Sequence, residues 1–259
     1  LRLGGTIGWG LSAPLVGLLV EDHGLRVAFW CFSALMFLAL LVSQNLRFKR
    51  AETSRHSVLS GARILLANRR YVLFLVMALT CGIGFASVNN YLFPYMEELH
   101  ASRSQMGLAL TLSTLSELPV LLFSNRFVQK IKPHGLLVLG MGVTALRLLL
   151  YAAASAPLGV LVFQLLNGFT FSLVWVAGVS YADQSAPPGM SASAQGLFGA
   201  MVFGFGSAIG GFTGSLLLEA LGGRMMFLVF GLFLLLSLCL LTWLERKCPP
   251  VARKLGVCE

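Results

Sequence analysis

Residues 111–123 read TLSTLSELPVLLF, and one carboxylate, Glu117, stands inside this otherwise apolar stretch. An acidic side chain at the centre of a membrane helix costs about 2.5–3.5 kcal/mol on insertion scales. No neighbour in the sequence offsets that cost, so Glu117 needs a water-filled cavity, a proton or a partner from another helix. Each of these favours a transport function. The alternative is a protonated carboxyl that bonds to a neighbouring helix and has a structural role only.

The composition identifies the class of protein around this stretch. Of the 259 residues, 57% are hydrophobic and 11% are charged, whereas soluble domains average about 45–50% and about 25%. The mean hydropathy is +0.82. These values predict an all-α, multi-pass integral membrane protein. The five cysteines stand singly and the four histidines fall in connections, so neither a metal site nor a cofactor is predicted. Without a catalytic motif at membrane depth, the chain is not expected to be an enzyme.

A membrane-spanning helix needs about 20 consecutive apolar residues. Eight such spans are predicted: Leu3–Val20, Val27–Val42, Tyr71–Asn89, Met106–Phe123, Gly135–Ala153, Leu158–Tyr181, Ser193–Leu218 and Met225–Leu244. A polar, basic connection separates the first two spans from the other six. The predicted organisation is therefore residues 1–43 with two helices, a central loop over 44–70, a six-helix half over 71–244 and a tail over 245–259.

The distribution of positive charge predicts the topology. One side of the predicted spans, which includes the 44–70 loop and both chain ends, holds 15 of the 19 Lys and Arg residues. By the positive-inside rule this side is cytoplasmic. The net charge of +9 is then explained by topology and by attraction to lipid headgroups. A nucleic-acid partner is not expected.

The first span carries a cation and an aromatic ring at helical spacing. Arg2 and Trp9 are seven residues apart, about 700° around a helix and so within about 20° of alignment. They are candidate solute-binding residues. The alternatives are an arginine that anchors the helix end and a tryptophan at the membrane interface.

The third span ends in SVNNYLFPYM, where Asn89 and Asn90 are candidate solute-binding residues and Pro94 is expected to end the helix. Amide side chains in lipid need partners, which favours a position facing a cavity. Helix-end capping and an interfacial aromatic belt are the alternative.

The sixth span offers a further polar and aromatic stripe. Gln164 and Asn167 are three residues apart, on roughly one helical face, and Trp175 lies eight residues beyond Asn167. This stripe suits a neutral, hydroxylated or aromatic solute. Hydrogen bonding between helices, without a role in solute binding, is the alternative.

Several stretches resemble one known family. RLGGTIGWGL is similar to the start of the fifth helix of lactose permease and its relatives in the major facilitator superfamily. SELPVLLFSNRFVQKI resembles the eighth helix and the following basic loop of the lactose-permease-like branch, which includes phenylpropionate permeases, nucleoside–proton symporters and major facilitator superfamily domain-containing protein 6. LLNGFTFSLVWVAGVSYADQSAP resembles the tenth helix, and SASAQGLFGAMVFGFGSAIGGFTGSLL resembles the glycine-rich eleventh.

The resemblance places the eight spans as helices 5 to 12 of a twelve-helix fold. The chain is then a partial major facilitator fold that lacks the first four helices, which a complete transporter needs. A longer native chain is expected, with four more spans before Leu1. The solute site in such transporters lies near the membrane midplane, between the two halves.

The resemblance also implies roles for two charged residues. Glu117 is expected to lie near Arg2 and Trp9, and to be the proton-linked or solute-contacting acid. Arg147 occupies the place of the ninth-helix arginine of lactose permease, but the lysine, histidine and glutamate of that permease's tenth helix have no counterparts here. Coupling through Glu117 with Arg147 as counter-charge is one interpretation, and a facilitator without proton coupling is the other. An Arg147 side chain that extends to the outer surface is the structural alternative.

The sequence therefore predicts a secondary transporter of a small organic solute, such as a sugar, nucleoside or aromatic acid, working by alternating access. Its expected partners are the solute, protons and the lipid bilayer. The alternative function is a non-transporting membrane protein, such as a receptor, a scaffold or a truncated relic.

Overall fold

The computed structural model describes residues 4, 5, 8, 12, 16, 19, 23, 24, 26–44 and 58–247. The chain divides into two compact units, Leu1–Arg55 and His56–Glu259. All regular secondary structure among the described residues is helical. This agrees with the predicted all-α membrane architecture.

In the first unit, helix α1 spans Arg26–Gln44 and coincides with the predicted span Val27–Val42. Its mean hydropathy is 2.0, so its length and composition suffice to cross a membrane. Large apolar side chains are exposed along it, Trp30 at 76% for example. A helix that is apolar on all sides belongs in a membrane or in a protein core. The predicted span Leu3–Val20 lies mostly outside the described residues.

The second unit contains the other helices whose bounds the structure describes. It begins with α2 (Val58–Ala67), α3 (Arg69–Glu98), α4 (Arg103–Leu122) and α5 (Ser124–Ala153). The next stretch consists of α6 (Pro157–Gln164), a π-helical segment π1 (Gly168–Ser172) and α7 (Leu173–Ser185). The last consists of α8 (Ser191–Gly199), a π-helical segment π2 (Ala200–Gly206) and α9 (Ser207–Lys247). By length and composition α3, α4, α5 and the two composite stretches can each cross a membrane.

The short helix α2 lies inside the connection that the basic residues marked as a loop. Leu65 is buried in the core of the second unit, whereas Ile64 and Leu66 are about half exposed. α2 packs against α3 and α8. Its ten residues are too few to span a bilayer, so a search for membrane spans does not detect it.

Local capping positions the starts of two long helices. The Asn68 side chain accepts hydrogen bonds from the backbone N–H groups of Arg70 and Tyr71, at the start of α3. Ser102 and Gln105 form a reciprocal capping box at the start of α4. Both arrangements satisfy backbone donors that a helix leaves unpaired at its N-terminus.

The predicted helix end at Pro94 is wrong, because α3 continues through this proline to Glu98. Proline removes one backbone donor. In a membrane protein, neighbouring helices and local adjustments can compensate for that loss, and the helix then continues.

Two long helices are broken at single residues. In α9 the break is Gly222, where φ is 77° and ψ is 166°, a conformation that is essentially restricted to glycine. The predicted spans Ser193–Leu218 and Met225–Leu244 lie on either side of this residue. In α5 the break is Lys132, with φ of 64°, and the predicted span Gly135–Ala153 begins just after it.

Two apolar clusters form the core of the second unit, and tyrosine hydroxyls join helices within them. The first cluster includes Tyr71, whose hydroxyl donates to the Ala194 carbonyl at 2.8 Å. The second includes Tyr95, whose hydroxyl donates to the Tyr151 carbonyl at 2.6 Å. These bonds tie α3 to α8 and α3 to α5.

Candidate functional site

A buried arginine lies at the centre of a polar network in the second unit. Arg147 on α5 is only 3% exposed, so its side chain does not extend to the surface of this unit. Its Nε donates to the Tyr151 hydroxyl at 2.7 Å. Its Nη1 donates to Asn167 Oδ1 at 2.6 Å and to Thr170 Oγ1 at 3.1 Å. Its Nη2 donates to Gln164 Oε1. These four partners are all neutral oxygen atoms.

The Asn167 side chain connects Arg147 to Glu117. Its Oδ1 accepts from Arg147, and its Nδ2 donates to Glu117 Oε1 at 2.8 Å. A guanidinium is only a donor and an ionised carboxylate only an acceptor, so this amide orientation satisfies both partners. The predicted pair of Glu117 and Arg147 is thus brought together through one amide group.

Three of the four oxygen partners of Arg147 come from consecutive turns of one stretch. Gln164, Asn167 and Thr170 are spaced by three residues, and π1 begins directly after Asn167. Single π-helical turns inside α-helices are frequent at functional sites. Here the π-helical segment carries Thr170, whose hydroxyl also donates to the Asn167 carbonyl at 2.9 Å.

Two members of the network were absent from the sequence-based candidates. Tyr151 lies four residues after Arg147 on α5, which is the spacing at which helical side chains meet. Thr170 lies three residues after Asn167. For both residues, the indication in the sequence was a spacing of three or four residues from a candidate, Asn167 or Arg147.

A cleft opens beside the network. Its empty volume is about 660 Å³, which includes the open solvent at its mouth. The cleft combines amide, hydroxyl and guanidinium groups with phenylalanine rings. Its lining residues are Phe85, Val88, Asn89, Leu92, Phe93, Leu110, Ser113, Arg147, Gln164, Asn167 and Phe171. Among the predicted solute-binding residues, Asn89, Gln164 and Asn167 therefore share one cavity.

Two other candidates lie away from this cleft. Asn90 is exposed, and its amide nitrogen lies near Gly211 of α9. Trp175 is half-buried and packs against Phe203, with ring centroids 5.3 Å apart. The ring of Phe203 in turn packs against the ring of Phe171, which lines the cleft, with ring centroids 6.3 Å apart. Neither residue is among those that line the cleft, and the solute-binding roles of Asn90 and Trp175 stay predictions.

Arg2 and Trp9 lie outside the described residues, so their predicted roles also stay predictions. Over the part of the chain that the structure describes, no group of three or more His, Cys, Asp or Glu side chains is placed to hold a metal ion. The side chains that line the cleft offer hydrogen-bonding groups and the positive charge of Arg147.

A model of the MFS_1 like family matches residues 1–229. The chain belongs to this family. This membership in the major facilitator superfamily confirms the resemblance identified in the sequence. Membership also supports the prediction of a transporter over an enzyme. The assignment of the spans as helices 5 to 12 stays a prediction.

Two relatives match this chain over most of its length. The uncharacterized transporter YwbF of Bacillus subtilis (strain 168) is 23% identical over 233 residues, which make up 90% of this chain and 58% of YwbF. Maltose permease of Geobacillus stearothermophilus is 27% identical over 251 residues, 95% of this chain and 63% of the permease. The chain thus spans about three fifths of the length of these two relatives.

The fold is similar to that of a solved transporter. The crystal structure of nucleoside transporter NupG matches this chain with a TM-score of 0.73 at 19% identity, covering 95% of this chain and 66% of that one. At this level of identity the likeness concerns the fold alone. The family membership and the apolar helices together identify an integral multi-pass membrane protein.

Proposed function

We propose that the protein is a secondary transporter of a small organic solute, coupled to protons through Glu117 and working by alternating access. The observation that carries the proposal is the Asn167 amide, which bridges Glu117 and Arg147 beside the cleft. Ionisable groups inside a membrane span are functional-site candidates by default. The family membership of the chain supports the same conclusion.

Charge balance is the basis of the proposed coupling. When Glu117 is ionised, its negative charge balances that of Arg147 across the Asn167 amide. When Glu117 binds a proton, the carboxyl becomes neutral, and Arg147 is left with the four neutral partners of the network. A buried charge without a counter-charge is unfavourable. The protonated site then favours a solute that brings a carboxylate or another oxygen with negative charge density to the guanidinium, which links proton binding to solute binding.

The lining of the cleft supports a solute of defined chemistry. Asn89, Ser113 and Asn167 offer hydrogen-bond partners for hydroxyl or carbonyl groups. Phe85 and Phe171 stand with ring centroids 5.5 Å apart and offer aromatic faces. This combination suits a sugar, a nucleoside or an aromatic acid. The names of maltose permease and of nucleoside transporter NupG support the first two classes.

A flux assay on the full-length protein in proteoliposomes tests this proposal. Uridine, maltose and 3-phenylpropionate serve as labelled probes, with and without an inward proton gradient. We expect the gradient to drive accumulation of one probe above its external concentration. Glu117→Gln should lose this accumulation and keep exchange of the same probe across the membrane. Glu219→Gln changes an exposed carboxylate on α9, and should behave as the wild type.

Two further variants separate solute binding from coupling. Asn89 lines the cleft without a contact to Arg147 or Glu117 among the described hydrogen bonds, so Asn89→Leu should raise KM for the transported probe and preserve accumulation. Asn167→Leu should impair accumulation, because it removes the bridge.

The remaining outcomes decide between the alternatives. Downhill flux that is insensitive to the proton gradient and to Glu117→Gln would support a facilitator without proton coupling. Saturable binding of a probe without any flux would support the receptor alternative. Neither result is compatible with proton-coupled transport.

A further inference from the structure

Helix α4, which carries Glu117, is loosely held within the second unit. Only Ala109, Val120 and Leu121 of its 20 residues are buried. Its packing within this unit is mainly against π1 and α6. A helix with so little buried surface has few contacts that define its depth and rotation. Within this unit, the contact with π1 is the helix contact nearest to Glu117.

That contact is a close backbone approach between Ser116 and Gly168. The Gly168 N–H donates to Ser116 Oγ at 3.0 Å, and the Ser116 hydroxyl donates to the Ser113 carbonyl at 2.7 Å. The serine side chain thus accepts from one helix and donates to its own. Gly168 is the first residue of π1, so the hydrogen bond joins α4 to the segment that begins there.

No side chain fits at position 168. A Cβ atom there would lie 1.9 Å from the Ser116 carbonyl oxygen and 2.6 Å from the Ser116 carbonyl carbon. Moving that oxygen from 1.9 Å to an ordinary contact of 3.4 Å requires the two helices to separate by about 1.5 Å. Both atoms belong to backbone, so a rotamer change cannot relieve the overlap.

The residues next to this contact are the two that form the bridge. Glu117 follows Ser116, and Asn167 precedes Gly168. The Asn167 Nδ2 to Glu117 Oε1 distance is 2.8 Å, and a hydrogen bond is lost beyond about 3.5 Å. A separation of about 1.5 Å at Gly168 exceeds the tolerance of this bond.

We propose that Ser116 and Gly168 are positioning residues, which hold the Glu117 carboxyl within hydrogen-bond reach of Asn167. The proposal rests on the function proposed above, since it assigns how the coupling acid is placed. Neither residue contacts the solute or exchanges a proton. Both act through the distance between the two side chains beside them.

Infrared difference spectroscopy tests this placement with the proton as its only probe. The full-length protein is reconstituted in lipid and measured between alkaline and acidic pH. The carboxyl C=O stretch of protonated Glu117 is the band that disappears in Glu117→Gln. Its frequency reports whether the carbonyl accepts a hydrogen bond. Asn167→Leu, which lacks the donor, should shift this band to higher frequency.

If the proposal is correct, Gly168→Ala shifts the Glu117 band to the position found in Asn167→Leu. Ser116→Ala, which removes the acceptor without adding atoms, should shift it in the same direction, and Ser116→Thr should restore the wild-type position by keeping a hydroxyl. Gly159→Ala is the matched control on α6, because a Cβ there meets only ordinary contacts of 3.6 Å or more. It should leave the band unchanged.

The proposal is overturned if the band stays at its wild-type position in Gly168→Ala and Ser116→Ala while Asn167→Leu shifts it. If Gly168→Ala does not yield folded protein, Ser116→Ala and Ser116→Thr decide the question. A band that Asn167→Leu leaves unmoved also overturns it, since the bridge is then absent in the membrane. These results do not depend on flux, so a failure of the proposed transport function is distinguished by the proteoliposome assay.

Discussion

Replacing Asn167 with leucine removes two hydrogen bonds and leaves both charged partners in place. The bonds are those from Arg147 Nη1 at 2.6 Å and to Glu117 Oε1 at 2.8 Å. Hydrogen bonds to charged groups contribute about 1.5–3 kcal/mol each. Interhelical hydrogen bonds in one membrane protein average only about 0.6 kcal/mol, with a maximum of about 1.7. The two scales predict a combined loss of about 3–6 kcal/mol or of just over 1 kcal/mol.

We expect a loss near the lower end of the first range, about 3–6 kcal/mol. The first range applies because one partner of Asn167 is a buried guanidinium and the other is a carboxylate. The lower end fits because Arg147 keeps Thr170, Gln164 and Tyr151, and because the open cleft admits water. Asn167→Leu should therefore lower the free energy of unfolding by about 3 kcal/mol.

The measurement is SDS-induced unfolding of the full-length protein in mixed micelles, with the free energy extrapolated to zero SDS. Asn90→Leu is the matched control, because Asn90 is an exposed amide away from the cleft. Its effect should stay within about 0.5 kcal/mol. The double variant with Glu117→Gln then measures the coupling between the two side chains. Equal losses for the two asparagines, or effects of Asn167→Leu and Glu117→Gln that add within about 0.5 kcal/mol, would refute the bridge.

Three further predictions concern the fold. Gly222→Ala should lower stability by about 1–3 kcal/mol, because φ of 77° with ψ of 166° is strained for any residue with a Cβ; the thermal midpoint of the purified protein measures this. Gly210→Leu should cost about 1–3 kcal/mol through overpacking, because a Cβ there lies 2.6 Å from the Ile83 carbonyl oxygen. The elution profile of the purified protein compares this variant with Gly196→Leu, whose side chain meets open space and which should leave the profile unchanged. Tyr95→Phe should cost about 1 kcal/mol, since it loses the hydroxyl bonds to two α5-end carbonyls and keeps the ring contact with Phe227; an unchanged SDS midpoint would contradict this.

Part of the candidate site was predictable because polar residues are conspicuous in apolar spans. Glu117, Gln164 and Asn167 were identified on that ground and Arg147 through the family resemblance, and the structure places all four in one network. Their residue types narrowed the partners as well, because a buried charge requires acceptors or a counter-charge. What the pattern did not predict is that Asn167, a predicted solute ligand, also lies between the two charges.

The position of Trp175 shows why the stripe on the sixth span was only partly predictable. Eight residues of regular α-helix place it about 80° around from Asn167. The intervening residues 168–172 are π-helical, and a π-turn closes over five residues. The rotation per residue is then smaller than in an α-helix, so angles counted across this segment do not hold. Trp175 accordingly packs on Phe203 and Phe198.

The sequence by itself determined the class of protein and, over the described residues, the position of the long apolar helices. A bilayer demands long apolar runs with internally satisfied backbone groups, and this demand acts on each span separately, so it is readable without tertiary contacts. It also determined which side chains needed an explanation, of which Glu117 and Arg147 were the clearest.

Only the tertiary structure decided how those side chains meet. The bridge at Asn167 depends on the rotation and separation of two helices, which are set by the backbone approach of Gly168 to Ser116 and by the π-helical segment that begins there. These residues lie about 50 positions apart in the chain, and no local propensity couples them. Hydropathy identifies a helix in the membrane, but close packing between helices determines which of its side chains face one another.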